Sequence, residues 1–347
     1  MNQNVFNDSG SVTDLFETLR DKSILRFKSI HEIIDYKRNY HSEIESIKNK
    51  KTIEIIEEIE NLNNESKTLQ DEYNKQKIEQ HTLILDQIGE LNSILKSTHN
   101  NLFSKIRKYF TKKKLTYLES SINKIVKEAI KKYSDKIKEC EGRIVYLTNN
   151  QNDEIHQRSK PLIEEVEYTV TELDNLAPLI YGSIGEIKAI NVMQRLPDQY
   201  YIINDFRKSF YPPLFNRREN DKIFSIQLDH IVIGPTGIYV IETKYWSQKS
   251  IENRDLFSPI KQLKRGSFAL FVILNNIIRE EEPAVFSNNW GETKLSVSNI
   301  LLMMNSTTSE QFQFVKILTE SNFINYIIKR PIVLNDRQIK FLVNRIT

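Results

Sequence analysis

The stretch Gln227-Leu228-Asp229-His230-Ile231-Val232-Ile233-Gly234-Pro235-Thr236-Gly237-Ile238-Tyr239-Val240-Ile241-Glu242-Thr243-Lys244 decides the reading of this chain. Two runs rich in β-branched residues flank Gly-Pro-Thr-Gly, which reads as a β-hairpin. With Pro235 and Thr236 as the turn, Asp229 lies opposite Glu242 and Gln227 opposite Lys244. Directly paired side chains share a face, and alternate residues of a strand share it too. The spacing therefore predicts Gln227, Asp229, Glu242 and Lys244 clustered on one side, continuous with Ile231, Ile233, Ile238 and Val240. Two opposed acids beside an apolar layer repel each other and lose solvation. A divalent cation relieves both costs, and oxygen ligands of this kind suit Mg²⁺ or Mn²⁺ rather than zinc. His230 faces away from the acids by alternation and reads as structural. Gly234 and Gly237 read as turn residues with unusual backbone angles.

Working outward, Gly182-Ser183-Ile184-Gly185-Glu186 opens a helix to about Leu196. Ser183 and Glu186 have the spacing of a capping box. Glu186 also shares a helix face with Ile190 and Met193, which turns it toward the core. Tyr200–Asn204 reads as a strand. Ser258-Pro259 starts a helix to about Ile278, with Ser as N-cap and Pro at the first position. Gln262 lies on its stripe with Gly266, Ala269 and Ile273 and so faces the sheet. Ser298–Met304 and Phe314–Leu318 read as strands, and Asn335-Asp336 caps a last helix, Arg337–Ile346. Alternating helices and strands indicate an α/β domain.

The preceding residues follow other rules. Of nine prolines only Pro161 precedes residue 175, and of nine glycines only Gly10, Gly89 and Gly142 do. Scarcity of both permits very long helices. Val126, Ile130, Tyr133, Ile137, Cys140, Ile144 and Leu147 alternate steps of four and three, and Ile55, Ile59, Leu62, Leu69, Ile84, Ile88, Leu91 and Leu95 follow related spacings. That repeat keeps one stripe on a partner helix, the signature of a coiled coil. The pattern fails from about Ser97 to Lys114, so two helices, roughly 40–97 and 115–157, are expected as an antiparallel hairpin or paired between chains. The expected layout is a flexible stretch over 1–12, a helical coiled-coil region over 13–175 broken near 97–114, and an α/β domain over 176–347. Cys140 lies on the seam and reads as a small buried hydrophobe.

Charge divides at the same place. Residues 1–175 hold 28 Lys/Arg against 30 Asp/Glu, and 176–347 hold 21 against 16. Arg217, Arg218, Lys222, Lys261, Lys264 and Arg265, with aromatic neighbours, are candidate phosphate contacts. A single cysteine excludes a disulfide framework and fits a reducing, cytoplasmic setting. The longest uninterrupted apolar run, Phe268–Leu274, is too short to cross a bilayer. Lys105, Arg107, Lys108, Lys112, Lys113 and Lys114 surround Leu102, Phe103, Ile106, Tyr109 and Phe110. That pattern fits either a solvated hairpin end with an apolar underside or a basic amphipathic contact.

In order, Gly182-Ser183-Ile184-Gly185-Glu186, Gln227-Leu228-Asp229-His230, Gly237-Ile238-Tyr239-Val240-Ile241-Glu242-Thr243-Lys244 and Pro259-Ile260-Lys261-Gln262 resemble the nuclease-related domain (NERD) family over about residues 178–347. Asp-x12-Glu-x-Lys is also the pattern of the PD-(D/E)xK nucleases. The resemblance implies a restriction-endonuclease-like α/β domain, a mixed sheet flanked by helices, following the all-α coiled-coil region. It implies a catalytic set of Glu186, Asp229, Glu242, Lys244 and Gln262, with Asp229, Glu242 and Glu186 holding Mg²⁺ or Mn²⁺. Its substrate would be nucleic acid, expected to be DNA. The departures are Ser258 before Pro259, where Asn is usual, and Lys244-Tyr245-Trp246 in place of a Lys-Asn-aromatic run. The rod lies outside the resemblance. It is expected to make a homo-oligomer or bind a partner protein, an arrangement suited to antiphage defence or DNA processing. A catalytically silent nucleic-acid-binding scaffold and a protein docked on a membrane surface through 102–114 are the competing readings.

Overall fold

A computed structural model describes residues 4–96, 102–252, 256–281, 283–288, 291–292 and 295–347. The elements in chain order are β1 (Val5–Phe6), α1 (Gly10–Asp21), α2 (Ile30–Lys96), α3 (Leu102–Asn149), α4 (Gln151–Asn175), α5 (Ala177–Met193), β2 (Tyr201–Asn216), β3 (Asp221–Gly234) and β4 (Gly237–Lys244). There follow α6 (Gln248–Glu252), α7 (Phe257–Glu281), β5 (Ser287–Asn288), β6 (Gly291–Glu292), β7 (Val297–Met303), β8 (Val315–Thr319), α8 (Glu320–Ile328) and α9 (Asp336–Ile346). The chain forms two compact units. One takes the residues up to Lys37 and from Thr169 onward, and the other takes Arg38–Tyr168.

The first unit is built on a mixed six-stranded sheet in the order β1-β2-β3-β4-β7-β8. β2, β3 and β4 are antiparallel neighbours, whereas β1 joins β2, and β7 joins β4 and β8, in parallel. Helices cover both faces, so β4 must be apolar on both, which explains its unbroken run Ile238-Tyr239-Val240-Ile241. On one face Ile231, Ile233, Ile238 and Val240 pack with Leu263, Leu270 and Leu274 of α7 and Leu342 of α9. On the other, Val232, Tyr239, Ile241 and Leu302 pack with Ala189 and Met193 of α5 and Phe323 of α8. Each large aliphatic side chain buried this way contributes about 1.5–3 kcal/mol relative to exposure.

The hairpin register is the expected one from Gly234↔Gly237 to His230↔Ile241, and there it stops. The assumption of unbroken alternation fails one residue later. Leu228 and Ile231 belong to the same core layer, as do Ile203 and Phe206 on β2, although each pair is three residues apart. The β2–β3 ladder passes over Asp205 and Asp229 between Asn204↔His230 and Phe206↔Leu228. Asp205 has φ 46°, a left-handed conformation that breaks strand alternation. Of the two turn glycines, Gly237 has φ +130°. A Cβ on Gly234 would lie 2.1 Å from the Tyr200 ring, so close packing, not a positive φ, explains glycine there.

Several local expectations change. The helix around Gly182 begins earlier, at Ala177, so Ser183 and Glu186 are mid-helix and form no capping box. Pro178 near its start supplies the helix-compatible φ. α7 begins at Phe257, which places Ser258 inside the helix and not at its N-cap. Asn335 does cap α9, accepting the Gln338 amide at 3.0 Å. The N-terminal stretch expected to be flexible takes part in the fold through its described residues. Val5 pairs with Ile202 and Phe6 with Ile203, and Leu15 and Leu19 of α1 pack with Ile24, Phe27, Ile33, Leu173 and Ile180. Residues 13–37, assigned by sequence to the rod, therefore belong with the α/β unit.

The second unit is a helical hairpin made within the chain. Tyr73, Ile84, Ile88 and Leu91 of α2 meet Leu118, Ile122, Val126 and Ile130 of α3 in antiparallel order. Of the seam residues, Val126, Ile130, Ile137, Cys140 and Leu147 are buried and Tyr133 and Ile144 half-buried, so this packing is made within one chain. Glu58 accepts Arg143 Nε at 3.0 Å and an Arg158 amino group at 2.8 Å, tying α2 to α3 and α4. Of the expected break, 97–101 lie outside the described residues, and 102–114 are helical. Pro161 sits inside α4, where it lacks the amide for one helical hydrogen bond.

Candidate active site

A cleft of about 940 Å³ opens where β3 and β4 part. Its lining includes Gly182 and Glu186 from α5, Gln227 and Asp229 from β3, and Glu242, Thr243 and Lys244 from β4. Tyr245, Trp246, Ser247 and Gln262 complete the part of the wall nearest those groups. All five residues singled out as catalytic by sequence thus meet in one cleft, and Gln262 among them is exposed.

The hairpin positions the acids by ending its ladder early. Asp229 Oδ2 accepts the Thr243 backbone amide at 2.9 Å, taking the place of a strand-to-strand bond. Glu242 is 3% exposed, and its Oε1 accepts Lys244 Nζ at 2.6 Å. Burial pushes the Glu242 pKa up to about 7. The Asp229 charge adds to this, and Lys244 opposes it. Burial also raises Asp229, against the pull of Lys244 and the Thr243 amide. Lys244 is raised as well, because Glu242 and Asp229 outweigh the desolvation that works against its ammonium. The cluster holds two acids and one lysine, so full ionisation leaves an excess negative charge in a poorly solvated place. An all-oxygen donor set with a charge deficit fits a hard divalent cation.

Glu186 lines the same cleft, close enough for its charge to act on Glu242 and Lys244, and its carboxylate is also bonded to the N-terminal segment. Its Oε2 accepts Ser9 Oγ–H at 2.5 Å and the Ser11 amide at 3.3 Å, at the N-terminus of α1. Ser183 on the same helix donates to Ser11 O at 2.8 Å. Among the described residues no group of three or more His, Cys, Asp or Glu side chains is placed to hold a metal ion. A carboxylate at a helix N-terminus meets unpaired amides and a favourable dipole, which accounts for where Glu186 settles.

His230 is fully buried, near enough to Glu186 and Asp205 for their charges to act on its ring. Asn204 Nδ2 donates to Asn7 O, so Asn204 Oδ1 is the acceptor and His230 Nδ1 carries the proton in their 2.8 Å bond. Burial lowers its pKa to about 4, leaving a neutral ring with Nε2 unpaired. The basic residues Arg217, Arg218, Lys222, Lys261, Lys264 and Arg265 are absent from the cleft lining. Arg265 forms an ion pair with Asp221 at 2.9 Å and donates to Lys222 O, fastening α7 to β3.

Sequence reasoning missed Ser9, Ser11, Asn204 and Asp205. Asp205 Oδ1 accepts Gln227 Nε2 at 2.9 Å and Arg207 Nε at 2.9 Å, and a Cβ on Gly10 would fall 2.6 Å from it. Ser9 and Glu186 are 177 residues apart, so no local spacing links them. Gly185 does carry a readable signal. A Cβ there would stand 2.7 Å from Tyr245 Cβ, so glycine lets α5 close on the end of β4.

Residues 181–286 match the family model of the nuclease-related domain, NERD, a stretch that holds Glu186, Asp229, Glu242, Lys244 and Gln262. No curated protein and no solved structure matches the chain.

Proposed function

We propose that the cleft hydrolyses phosphodiester bonds of nucleic acid, with DNA as substrate, using Mg²⁺ or Mn²⁺ held by Asp229 and Glu242. The observation that carries this reading is the pair of acids with raised pKa beside Lys244, Glu242 buried and Asp229 half-buried, within the matched nuclease-related stretch. When bound, the ion would supply Lewis acidity and lower the pKa of a water. Asp229 and Glu242 hold their carboxylates at the cleft wall. Lys244 keeps a full positive charge and is placed to offset charge that develops on phosphate oxygens. Gln262, exposed on the wall, offers an amide to orient a phosphate or water. Glu186 acts as a positioning residue, locking α5 to α1 beside the acids. Tyr245 and Trp246 offer rings for base stacking. Arg217, Arg218, Lys222, Lys261 and Lys264 then meet phosphates outside the cleft.

A silent binding scaffold is the second reading, favoured by the 2.6 Å Lys244–Glu242 pair, which neutralises one acid without metal. Cleavage of plasmid and oligonucleotides with Mg²⁺ or Mn²⁺ separates the two. Wild type is expected to cut, and Asp229→Ala and Lys244→Ala to be impaired. Equal activity in all three refutes the nuclease reading. Calorimetry should show Mg²⁺ binding that Glu242→Ala loses. Salt-dependent nucleic-acid binding with neither metal binding nor turnover would establish the scaffold instead.

A further inference from the structure

The first turns of α3 bear two distinct faces. Thr111, Leu115 and Leu118 are buried and make up the side that packs. Phe103, Ile106, Tyr109, Phe110 and Tyr117 recur at spacings of three, four and seven, so they share another side of the helix. They are exposed by 85%, 51%, 66%, 63% and 60%. The apolar residues of this segment are therefore not a packed underside. Exposure of so many large apolar groups together marks an interaction surface.

Charge surrounds this stripe. Residues 102–114 contain six Lys/Arg and no Asp/Glu. At 100° per residue Arg107 and Lys114 fall on one flank of the stripe, Lys105 and Lys112 on the other, and Lys113 within it, where its long stem can carry the ammonium up to the headgroups. Lys105, Arg107, Lys112, Lys113 and Lys114 are exposed.

We propose that this face of α3 docks on an anionic lipid surface. Its apolar stripe would enter the boundary between headgroups and acyl chains, and the flanking lysines would meet lipid phosphates and carboxylates. Two features favour lipid over other occupants. A second copy would bring the same basic flanks and repel. A nucleic acid would pair with the lysines and stack on the aromatics, but it gives Ile106 no apolar medium. A bilayer interface satisfies both the stripe and its flanks. No described helix is long and apolar enough to cross a membrane, so the contact lies on the surface. The proposal is independent of what the cleft does.

The test is flotation of the full chain with vesicles of phosphatidylcholine, with and without phosphatidylserine. Wild type is expected to float only with phosphatidylserine, and less as salt is raised. Each basic residue near an anionic surface is worth about fivefold in partitioning, so Lys112→Gln/Lys113→Gln/Lys114→Gln should weaken binding roughly a hundredfold. Phe103→Ser/Phe110→Ser should abolish flotation with unchanged far-ultraviolet circular dichroism, since both rings are exposed. Wild type that stays with the protein pellet on phosphatidylserine vesicles overturns the proposal. So does a serine variant that floats like wild type, because charge alone would then suffice. Duplex DNA binding that both variants lose, without flotation of wild type, would assign the surface to nucleic acid.

Discussion

Replacing Glu242 by Gln should stabilise the metal-free protein, and the gain should grow with pH. Glu242 is held at a pKa of about 7, well above the ordinary glutamate value of about 4.5. A carboxyl raised in the folded state contributes stability below its unfolded pKa and loses that contribution as pH rises through the folded one. The window therefore runs from about pH 4.5 to 7. The shift corresponds to about 3 kcal/mol, all of it expended above pH 7. Glu242→Gln leaves Asp229 and Lys244 as a balanced pair, so the variant escapes this loss. The amide's own hydrogen bonding adds an offset that does not change with pH. His230, lowered to about 4, pulls the other way over part of the same range, and it cancels in the difference between wild type and variant. Urea titrations in chelator, read by tryptophan fluorescence at several pH values, give that difference. It should rise by about 3 kcal/mol between pH 4.5 and 7 and then level off. Adding Mg²⁺ at pH 8 should stabilise wild type by about 2.7 kcal/mol at a hundredfold excess over Kd, and the variant less. A difference flat across pH would refute the claim that burial, with the Asp229 charge added, disfavours the ionised Glu242.

Three further outcomes follow from the geometry. Ser9→Ala removes the 2.5 Å bond to buried Glu186 and should cost about 1.5–3 kcal/mol in urea unfolding, with Ser9→Thr recovering most of it. Gly185→Ala drives a Cβ to within 2.7 Å of Tyr245 and should destabilise by about 1–3 kcal/mol, whereas Gly182→Ala meets no atom within 4 Å and should gain up to about 1 kcal/mol. If the cleft is a nuclease site, Lys244→Met should lower kcat about 10²–10³-fold while calorimetric Mg²⁺ binding persists.

Local pattern made much of this molecule legible. Heptad spacing identified Val126, Ile130, Tyr133, Ile137, Cys140, Ile144 and Leu147 as a seam; Tyr133 and Ile144 are half-buried and the others buried. Turn chemistry set the hairpin register through His230↔Ile241. Both rest on interactions between near neighbours, which composition and spacing encode directly. The helix starts at Ala177 and Phe257 were misplaced because Ser-x-x-Glu and Ser-Pro satisfy cap rules that tertiary packing overrode.

By itself, the sequence showed that a long helical region precedes an α/β region, since glycine and proline distribution limits where long helices run. It also determined which residues gather in the cleft, because Asp229, Glu242 and Lys244 sit on two strands joined by one short turn. Only the tertiary structure decided how those residues are held. Asp229 leaves the strand alternation beside Asp205 and takes the Thr243 amide. Glu186 is claimed by Ser9 and Ser11, from a segment that joins the sheet through β1. Contacts across 175 or more residues leave no periodic trace, because burial and hydrogen-bond satisfaction select them only after the chain has closed.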